Sequence, residues 1–573
     1  MSRFKVLQKL TRQQRQREEW ADWDIVLELE QLENDPAPAF AISYAKWEVD
    51  WGDGNDPVTY NRTSGTQIQT YSGTYPVGRH IVKFRVISRN NNSGVLYFGN
   101  GTNTSLNGDP LMPQLIRVKK FNASGEVSGR PKIQSLYCCF NRCLRLESID
   151  CPFIVGNAIN MSSSFRFCVK LRGKIEIPYF AAVTDTTNCF YNCIGLEEAR
   201  FGDAPLLTAF SYTFYNCPSL RKVSLGAFSK NLNCGYSFWG CKNLTDLTWK
   251  GHINFSTLVY CFYGCSAIEE LPEIGDQPYC ASLSYAFTQC SNLKHIVLGN
   301  FSVCTSLYHT FEYDFDLEEV YLTELDNVGD AAGVCSYCKA LRRVTLDGLG
   351  PSCTNLGSAF YECRALTGSF ALPDLPECTF LGDAFFNTML SSIVIGDAPK
   401  VTSIAEICAR MTKLNSFKAG QMPLVTSVSR SFYLCEELEE IELHIPDGTI
   451  INAQDFCNGC CKLKRLTGEA RLRPQGPSPS ASYWNNLFVF CRSLEELPDV
   501  FPTGGWASSF SVANVTHTSW FSNCVSLTGT VPSWIWETWP GKAAIQDSTF
   551  LNCFRLTNFN DIPTSWKGGD ITI

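Results

Sequence analysis

The feature that most limits what this chain can become is a phrase repeated at a fixed interval. Between Phe190 and Ile268 it reads FYNCIGL, FYNCPSL, FWGCKNL and FYGCSAI: an aromatic, two variable residues, a cysteine, two more, then an aliphatic. The cysteines, Cys193, Cys217, Cys241 and Cys265, stand 24 residues apart. A unit that short cannot enclose a core of its own, so equal units must stack and bury their apolar faces on one another. A repeat solenoid is the expected result.

Outward from there the phrase recurs from Phe140/Cys143/Leu146 to Phe550/Cys553/Leu556, 17 copies counting degenerate ones such as Phe311/Asp314/Leu317. The last intervals widen to 31, 33 and 29 residues. Within a copy, the aliphatic opens a short alternating run such as Leu220-Arg-Lys-Val-Ser-Leu225, which predicts a strand with its aliphatics inward. A loop with Gly, Asp or Pro follows, and then the aromatic segment, read as a short helical turn. The expected fold is a leucine-rich-repeat solenoid of α/β type, with parallel strands on one side and short helical turns on the other.

Two segments precede it. Residues 1–35 carry apolar positions at helical spacing, with Arg3 to Arg17 basic and Glu18 to Glu33 acidic, and predict a charged helix for docking or oligomerisation. A solvated helix lying on the next domain is the plainer reading. Residues 40–88 change to alternating strands, including Trp47-Glu-Val-Asp-Trp51 and His80-Ile-Val-Lys-Phe-Arg-Val86, around a Gly52-Asp-Gly-Asn-Asp-Pro57 turn. WEVDWGDG followed by TYPVGRHIVKFRV resembles PKD-like β domains, which implies a small all-β sandwich. Residues 89–134 are read as a connector and N-terminal cap, 135–470 as the regular solenoid, and 471–573 as longer Trp-rich repeats with a C-terminal cap.

The repeat unit F-x-x-C-x-x-L-x-x-V/I-x-L resembles the BspA-type leucine-rich repeats of bacterial surface antigens, protists and some bacteriophage structural proteins. The resemblance covers residues 135–570. It implies a non-enzymatic array that mediates adhesion or recognition.

Composition and motifs exclude more than they assign. With a net charge of −8 the chain has no electrostatic footprint for nucleic acid. No apolar run is long enough to span a membrane, and the N-terminal residues do not read as a secretory signal. The chain is therefore expected to fold in a cytoplasm with its thiols reduced. Of 28 cysteines, 14 share one slot of the repeat, where a ladder of buried thiols is the simple reading. Cys335-x-x-Cys338 and Cys457-x-x-Cys460 have zinc-like spacing but coincide with repeat slots and lack a second pair. None of the six histidines falls in a catalytic or metal motif, and no phosphate loop occurs. No enzyme and no cofactor are expected. Asp50, Asp53 and Asp56 form a weak calcium candidate against the commoner reading of a turn whose aspartates bond the backbone.

Two stripes are candidates for recognition. One follows the repeat aromatic: Tyr191, Tyr215, Trp239, Tyr263, Tyr361 and Tyr433. They read either as an outward aromatic ladder or as packing between coils. The other lies at the C-terminal end, with Trp484, Trp506, Trp534, Trp536 and Trp539 as a recognition tip or a hydrophobic seal. These expectations meet in a phage virion protein, a tail or capsid-associated fibre or decoration. Its N-terminal region would join other virion proteins, as a monomer or a homo-oligomer, and its solenoid would bind a host surface protein or glycan. The alternative is a cellular BspA-type adhesin or an intracellular protein-binding scaffold.

Overall fold

The computed structural model describes residues 19–43, 45–62, 66–89, 95–99, 110–123, 133–180, 182–472, 484–501, 519–538 and 548–568. The chain divides into two compact units, Met1–Gly275 and Asp276–Ile573.

In the first unit, strands β1 (Ile25–Gln31), β2 (Ala39–Ser43), β3 (Ala45–Asp50), β4 (Val58–Asn61), β5 (Thr66–Thr70), β6 (Gly78–Arg89), β7 (Leu96–Tyr97) and β8 (Leu115–Asn122) build an N-terminal β domain. One sheet runs β8-β1-β6-β3-β4 and a second runs β5-β2-β7. Residues 25–31, expected to lie in a helix, instead form a strand in which Ile25, Val26, Leu27 and Leu29 are fully buried. Alternating aliphatics between two strand partners gain more from a sheet than from one helical face. The rest of that expected helix, residues 1–18, lies outside the described residues. The β domain is also wider than residues 40–88, because β1 and β8 are sheet members.

β8 joins the two parts of the unit. It pairs antiparallel with β1 on one edge and parallel with β9 (Ser148–Ile149) and β10 (Phe153–Ile154) of the first coil on the other. An open first coil would expose a row of unpaired backbone groups, and β8 covers them. Arg145 of that coil donates to Asp35 Oδ2 at 2.7 Å and to the Glu30 carbonyl at 2.6 Å.

The coils themselves stack parallel strands. β11 (Gly173–Ile177), β12 (Leu196–Phe201), β13 (Lys222–Leu225) and β15 (Asp246–Trp249) form one sheet, and β14 (Leu232–Asn233) pairs with β16 (Phe255–Thr257). In the second unit β17 (His295–Asn300), β18 (Glu319–Thr323) and β19 (Arg343–Leu346) form a three-stranded sheet. A five-stranded one comprises β20 (Thr367–Leu372), β21 (Met389–Ile395), β22 (Ser416–Gln421), β23 (Glu440–Ile450) and β24 (Arg465–Leu472).

The aromatic segment is not helical. It is a train of tight turns in which Cys189 N bonds Thr186 O and Cys193 N bonds Phe190 O, while the alternate amides of Asn188, Phe190 and Asn192 reach Ser211, Thr213 and Tyr215 of the next coil. Two residues four apart take positive φ, Asn188 at 57° and Asn192 at 58°, and the pair recurs at Tyr212/Asn216, Tyr236/Gly240 and Tyr260/Gly264. Left-handed residues at that interval turn the amides sideways, which replaces intrahelical bonds by bonds between coils.

The core is a column of phenylalanines. Phe140, Phe165, Phe190, Phe214, Phe238 and Phe262 follow one another with centroids 5.1–5.6 Å apart and ring planes within 18°. Phe98 of the β domain begins this column, 5.5 Å from Phe140. In the second unit the column that runs through Phe488, Phe521 and Phe550 ends on Trp566, 6.4 Å away and buried.

Candidate functional site

On the turn side of the first unit, the residue after each core phenylalanine points away from the core. Tyr191, Tyr215, Trp239 and Tyr263 are half-buried and stack in register, with centroids 4.5, 4.6 and 5.8 Å apart and planes within 8°. Each ring thus covers the face of its neighbour. What these residues present to water is the ring edge and the polar tip, not an open face.

A second column runs beside it. Tyr212, Tyr236 and Tyr260 stack at 4.6 and 4.7 Å with planes within 14°. Tyr212 leans on Tyr215 at 5.7 Å and Tyr260 on Tyr263 at 5.6 Å. These three tyrosines hold φ of 56°, 58° and 53°, a region that costs a bulky residue on the order of 1–3 kcal/mol. Intercoil bonds, such as Tyr212 N to Gly235 O at 3.0 Å, enforce it. Sequence reading missed this column, although Tyr two places before the repeat phenylalanine recurs at the same 24-residue interval.

One end of the double ladder is cationic. The Arg166 guanidinium lies 4.8 Å from the Phe167 ring centre and 5.3 Å from that of Tyr191, and Arg142 lies 5.8 Å from Phe167. Along the flank, Asn216 donates to Asn192 Oδ1 at 2.7 Å. Burial, then the neighbouring phenols, push Tyr212, Tyr215 and Tyr236 above the usual tyrosine range, so all stay protonated donors at neutral pH.

The other expected residues do not join this site. In the second unit Tyr361 packs between Tyr337 at 5.2 Å and Phe386 at 4.6 Å, and burial pushes its phenol up to about 12. Tyr433 has the Arg430 guanidinium 6.0 Å from its ring. Trp484 is 2% exposed and donates its indole N–H to Ile451 O at 2.7 Å, so it belongs to the core and not to a recognition tip. Its bulk and single donor suit a site where one carbonyl is otherwise open. Trp534 and Trp536 are half-buried on the short helix Trp534–Glu537. Trp506 and Trp539 lie outside the described residues.

The aspartate turn is spent internally. Asp50 accepts from Gly52 N at 2.9 Å and pairs with Lys83 at 3.2 Å; Asp53 accepts from Asn55 and from the Tyr71 hydroxyl at 2.8 Å. Among the described residues no three His, Cys, Asp or Glu side chains are grouped to hold a metal ion. Nor, among them, is any helix long and apolar enough to cross a membrane. Among the described residues the 28 cysteines form no disulfide, and 26 of them are buried.

The repeat array agrees with a family comparison. A family model described as "BspA type Leucine rich repeat region (6 copies)" matches residues 136–269, 233–342, 278–387 and 354–474. Solved structures similar to the chain include a leucine rich cell surface protein from Faecalibacterium prausnitzii A2-165. It shows 18% identity over 56% of this chain and 84% of that one, with a TM-score of 0.27. The pneumococcal vaccine antigen PcpA shows 13% identity over 85% of this chain and 96% of that one, TM-score 0.26. An internalin, InlF, from Listeria monocytogenes shows 12% identity over 61% and 86%, TM-score 0.20. No curated protein matches the sequence.

Proposed function

We propose, from the premise that this chain belongs to the BspA-type leucine rich repeat family, that it is a non-enzymatic recognition scaffold whose partner docks on the turn face bearing the double tyrosine ladder. The observation that carries this reading is the double row of stacked, half-buried aromatics on the turn face, Tyr191, Tyr215, Trp239 and Tyr263 beside Tyr212, Tyr236 and Tyr260. The left-handed backbone under the second row belongs to the coil itself, which places Ser163, Asn188, Tyr285, His309, Glu406 and Arg430 in the same position. What sets these coils apart is that their aromatics stack in register, and rigid aromatic side chains with a polar tip suit a binding face.

The covered ring faces favour a protein partner. A sugar stacks on an open aromatic face, whereas this surface offers ring edges, phenol hydroxyls and the Trp239 indole edge at the repeat spacing. Such a row suits hydrogen bonding to a protein surface. In its narrower form the reading makes the chain a virion component, tail or capsid-associated, whose partner lies on a host surface. The change of character from the N-terminal segments to a long repeat array supports that form. A cellular adhesin or intracellular scaffold would use the same face.

Two measurements test these levels separately. Replacing Tyr191, Tyr212, Tyr215 and Tyr236 together by Phe keeps the stacks and removes the hydroxyls; unchanged binding of the purified protein to host cells would refute the turn face as the site. Mass spectrometry of purified virus particles from the source culture tests the virion form, which absence of the chain from particles overturns.

A further inference from the structure

Among the described strands of the second unit the parallel pairing breaks between β19 and β20, and the sequence shows why. In the coils before it, two residues separate the aliphatic from the first inward strand residue, as between Leu317 and Val320 and between Leu341 and Val344. In the next coil, Leu366-Thr-Gly-Ser-Phe370, there are three, and the extra residue falls at Gly368 with φ 84°. The same insertion, Leu171-Arg-Gly-Lys-Ile175 with Gly173 at φ 71°, stands where the sheet of the first unit begins. A left-handed glycine bulge throws the strand out of register with its predecessor.

Consequently β19 and β20 splay apart and do not pair. Val344 and Leu346 of β19 are half-buried, while their equivalents Val320 and Leu322 in β18 are 2% and 0% exposed. A cavity of about 370 Å³ opens there, lined among others by Tyr321, Val344, Thr345, Asp347, Ser369 and Phe370. Two parallel strands thus face each other across it, each hydrogen-bonded to a neighbour strand on its far side alone. Beyond the C-terminal end of β19 the cavity is lined by one carboxylate, that of Asp347.

We propose that this gap binds an extended peptide segment of another protein, taken up as a strand between β19 and β20 with a basic side chain near its C-terminal end. Two facing strand edges supply what a third strand needs, alternate donors and acceptors on both sides, and half-buried Val344, Leu346 and Phe370 supply an apolar floor for every second side chain. The Asp347 carboxylate selects the charge. This site lies apart from the turn face and does not depend on it.

The test uses the full chain against a bead-bound library of linear heptapeptides. The expected result is enrichment of sequences alternating β-branched residues with a Lys or Arg near the C-terminus, and new amide exchange protection at 343–346 and 367–372. Deleting Gly368 restores the regular spacing and closes the gap, and should weaken the selected peptides at least about tenfold. N-methylation of alternate peptide nitrogens should do the same to the parent protein, which keeps the test decisive if the deletion variant does not fold. Equal enrichment by the deletion variant, full affinity of the N-methylated peptides, or self-association of the parent that the deletion abolishes would overturn the proposal, the last by assigning the gap to a second copy.

Discussion

The thiol of Cys217 lies 3.1 Å from the carbonyl oxygen of Phe190, one coil earlier, and that oxygen also accepts the amide of Cys193 at 3.0 Å. The relationship repeats along the array: Cys193 with Phe165, Cys241 with Phe214, Cys265 with Phe238, Cys338 with Phe311 and Cys524 with Phe488, all at 3.0–3.1 Å. The cysteine slot is therefore more than filler. Its S–H satisfies the second lone pair of a buried carbonyl, and its size fits beside the phenylalanine column.

From this, Cys217→Ala should destabilise its coil by about 1–2 kcal/mol, combining the lost weak hydrogen bond with a small cavity. Hydrogen exchange at the amides of Phe214 and Cys217 reads the effect locally, which suits an array whose repeats are stabilised by nearest neighbours. An unchanged exchange rate would reduce the thiol to packing.

Burial also predicts how the thiols react. It pushes the Cys241 thiol up to about 12 and Cys138 to about 11, so neither has appreciable thiolate at pH 8. Only Cys151 and Cys461 are partly exposed. Maleimide labelling of the native protein should stop at two or fewer of the 28 sites, with the rest reacting on unfolding, as intact-mass analysis would show.

Three of the 17 copies carry another residue in the cysteine slot, Asp314, Thr388 and Met411, and the first is ionisable. Asp314 occupies the cysteine slot, fully buried; its Oδ1 accepts from Cys290 N at 2.7 Å, while Oδ2 has no partner. Desolvation raises its pKa well above the usual carboxylate value. A raised folded pKa favours the protonated form, so the stability contributed is complete below the unfolded pKa and is lost as pH rises through the folded one. Asp314→Cys should therefore gain stability over the parent increasingly as pH rises, and lose that advantage in acid. Denaturation midpoints of both proteins across pH 4 to 8 decide it; parallel curves would contradict a titrating Asp314.

The double ladder is expected to stabilise as well as bind. Tyr215→Ala removes stacking with Tyr191 and Trp239, each contact worth about 0.5–1.5 kcal/mol, whereas Tyr215→Phe keeps both. Exchange at neighbouring amides should quicken in the first variant and not in the second. Equal exchange in the two would mean that the rings contribute no coupling between coils.

The 24-residue period made the stacking of coils, the inward Phe190 and the buried Cys193 legible, because all three follow from one phrase that cannot close a core alone. The turn conformation was not, since an aromatic-rich run with a cysteine reads equally as a helical turn; the sign was Asn or Gly just before the cysteine, as at Asn192, Asn216, Gly240 and Gly264. Charge misled at residues 25–31, where Glu28 and Glu30 look like a helix's polar face but are the half-buried residues on one face of an interior strand, Glu28 pairing with Lys119 at 3.1 Å. In the candidate site, Tyr191 to Tyr263 were visible by period. That their faces are mutually covered depends on ring tilt, which no spacing encodes.

The junction between the β domain and the first coil gives the strongest structural prediction. Phe98 is fully buried, stacks on Phe140 at 5.5 Å, and its amide bonds Cys139 O at 2.7 Å. Replacing it with Ala empties the start of the phenylalanine column, at a cost of about 3–5 kcal/mol. Because coils gain stability from their neighbours, the loss should fall off with distance: amides of residues 136–177 should exchange much faster, and those of 389–472 at the parent rate. Arg145→Ala, which removes the bonds to Asp35 and Glu30 but leaves the column filled, should show a weaker form of the same gradient. Uniform loss of protection over the whole chain would instead mean that the array unfolds as one cooperative body, and unchanged protection at residues 136–177 would mean that the β domain is an appended module and not the cap of the solenoid.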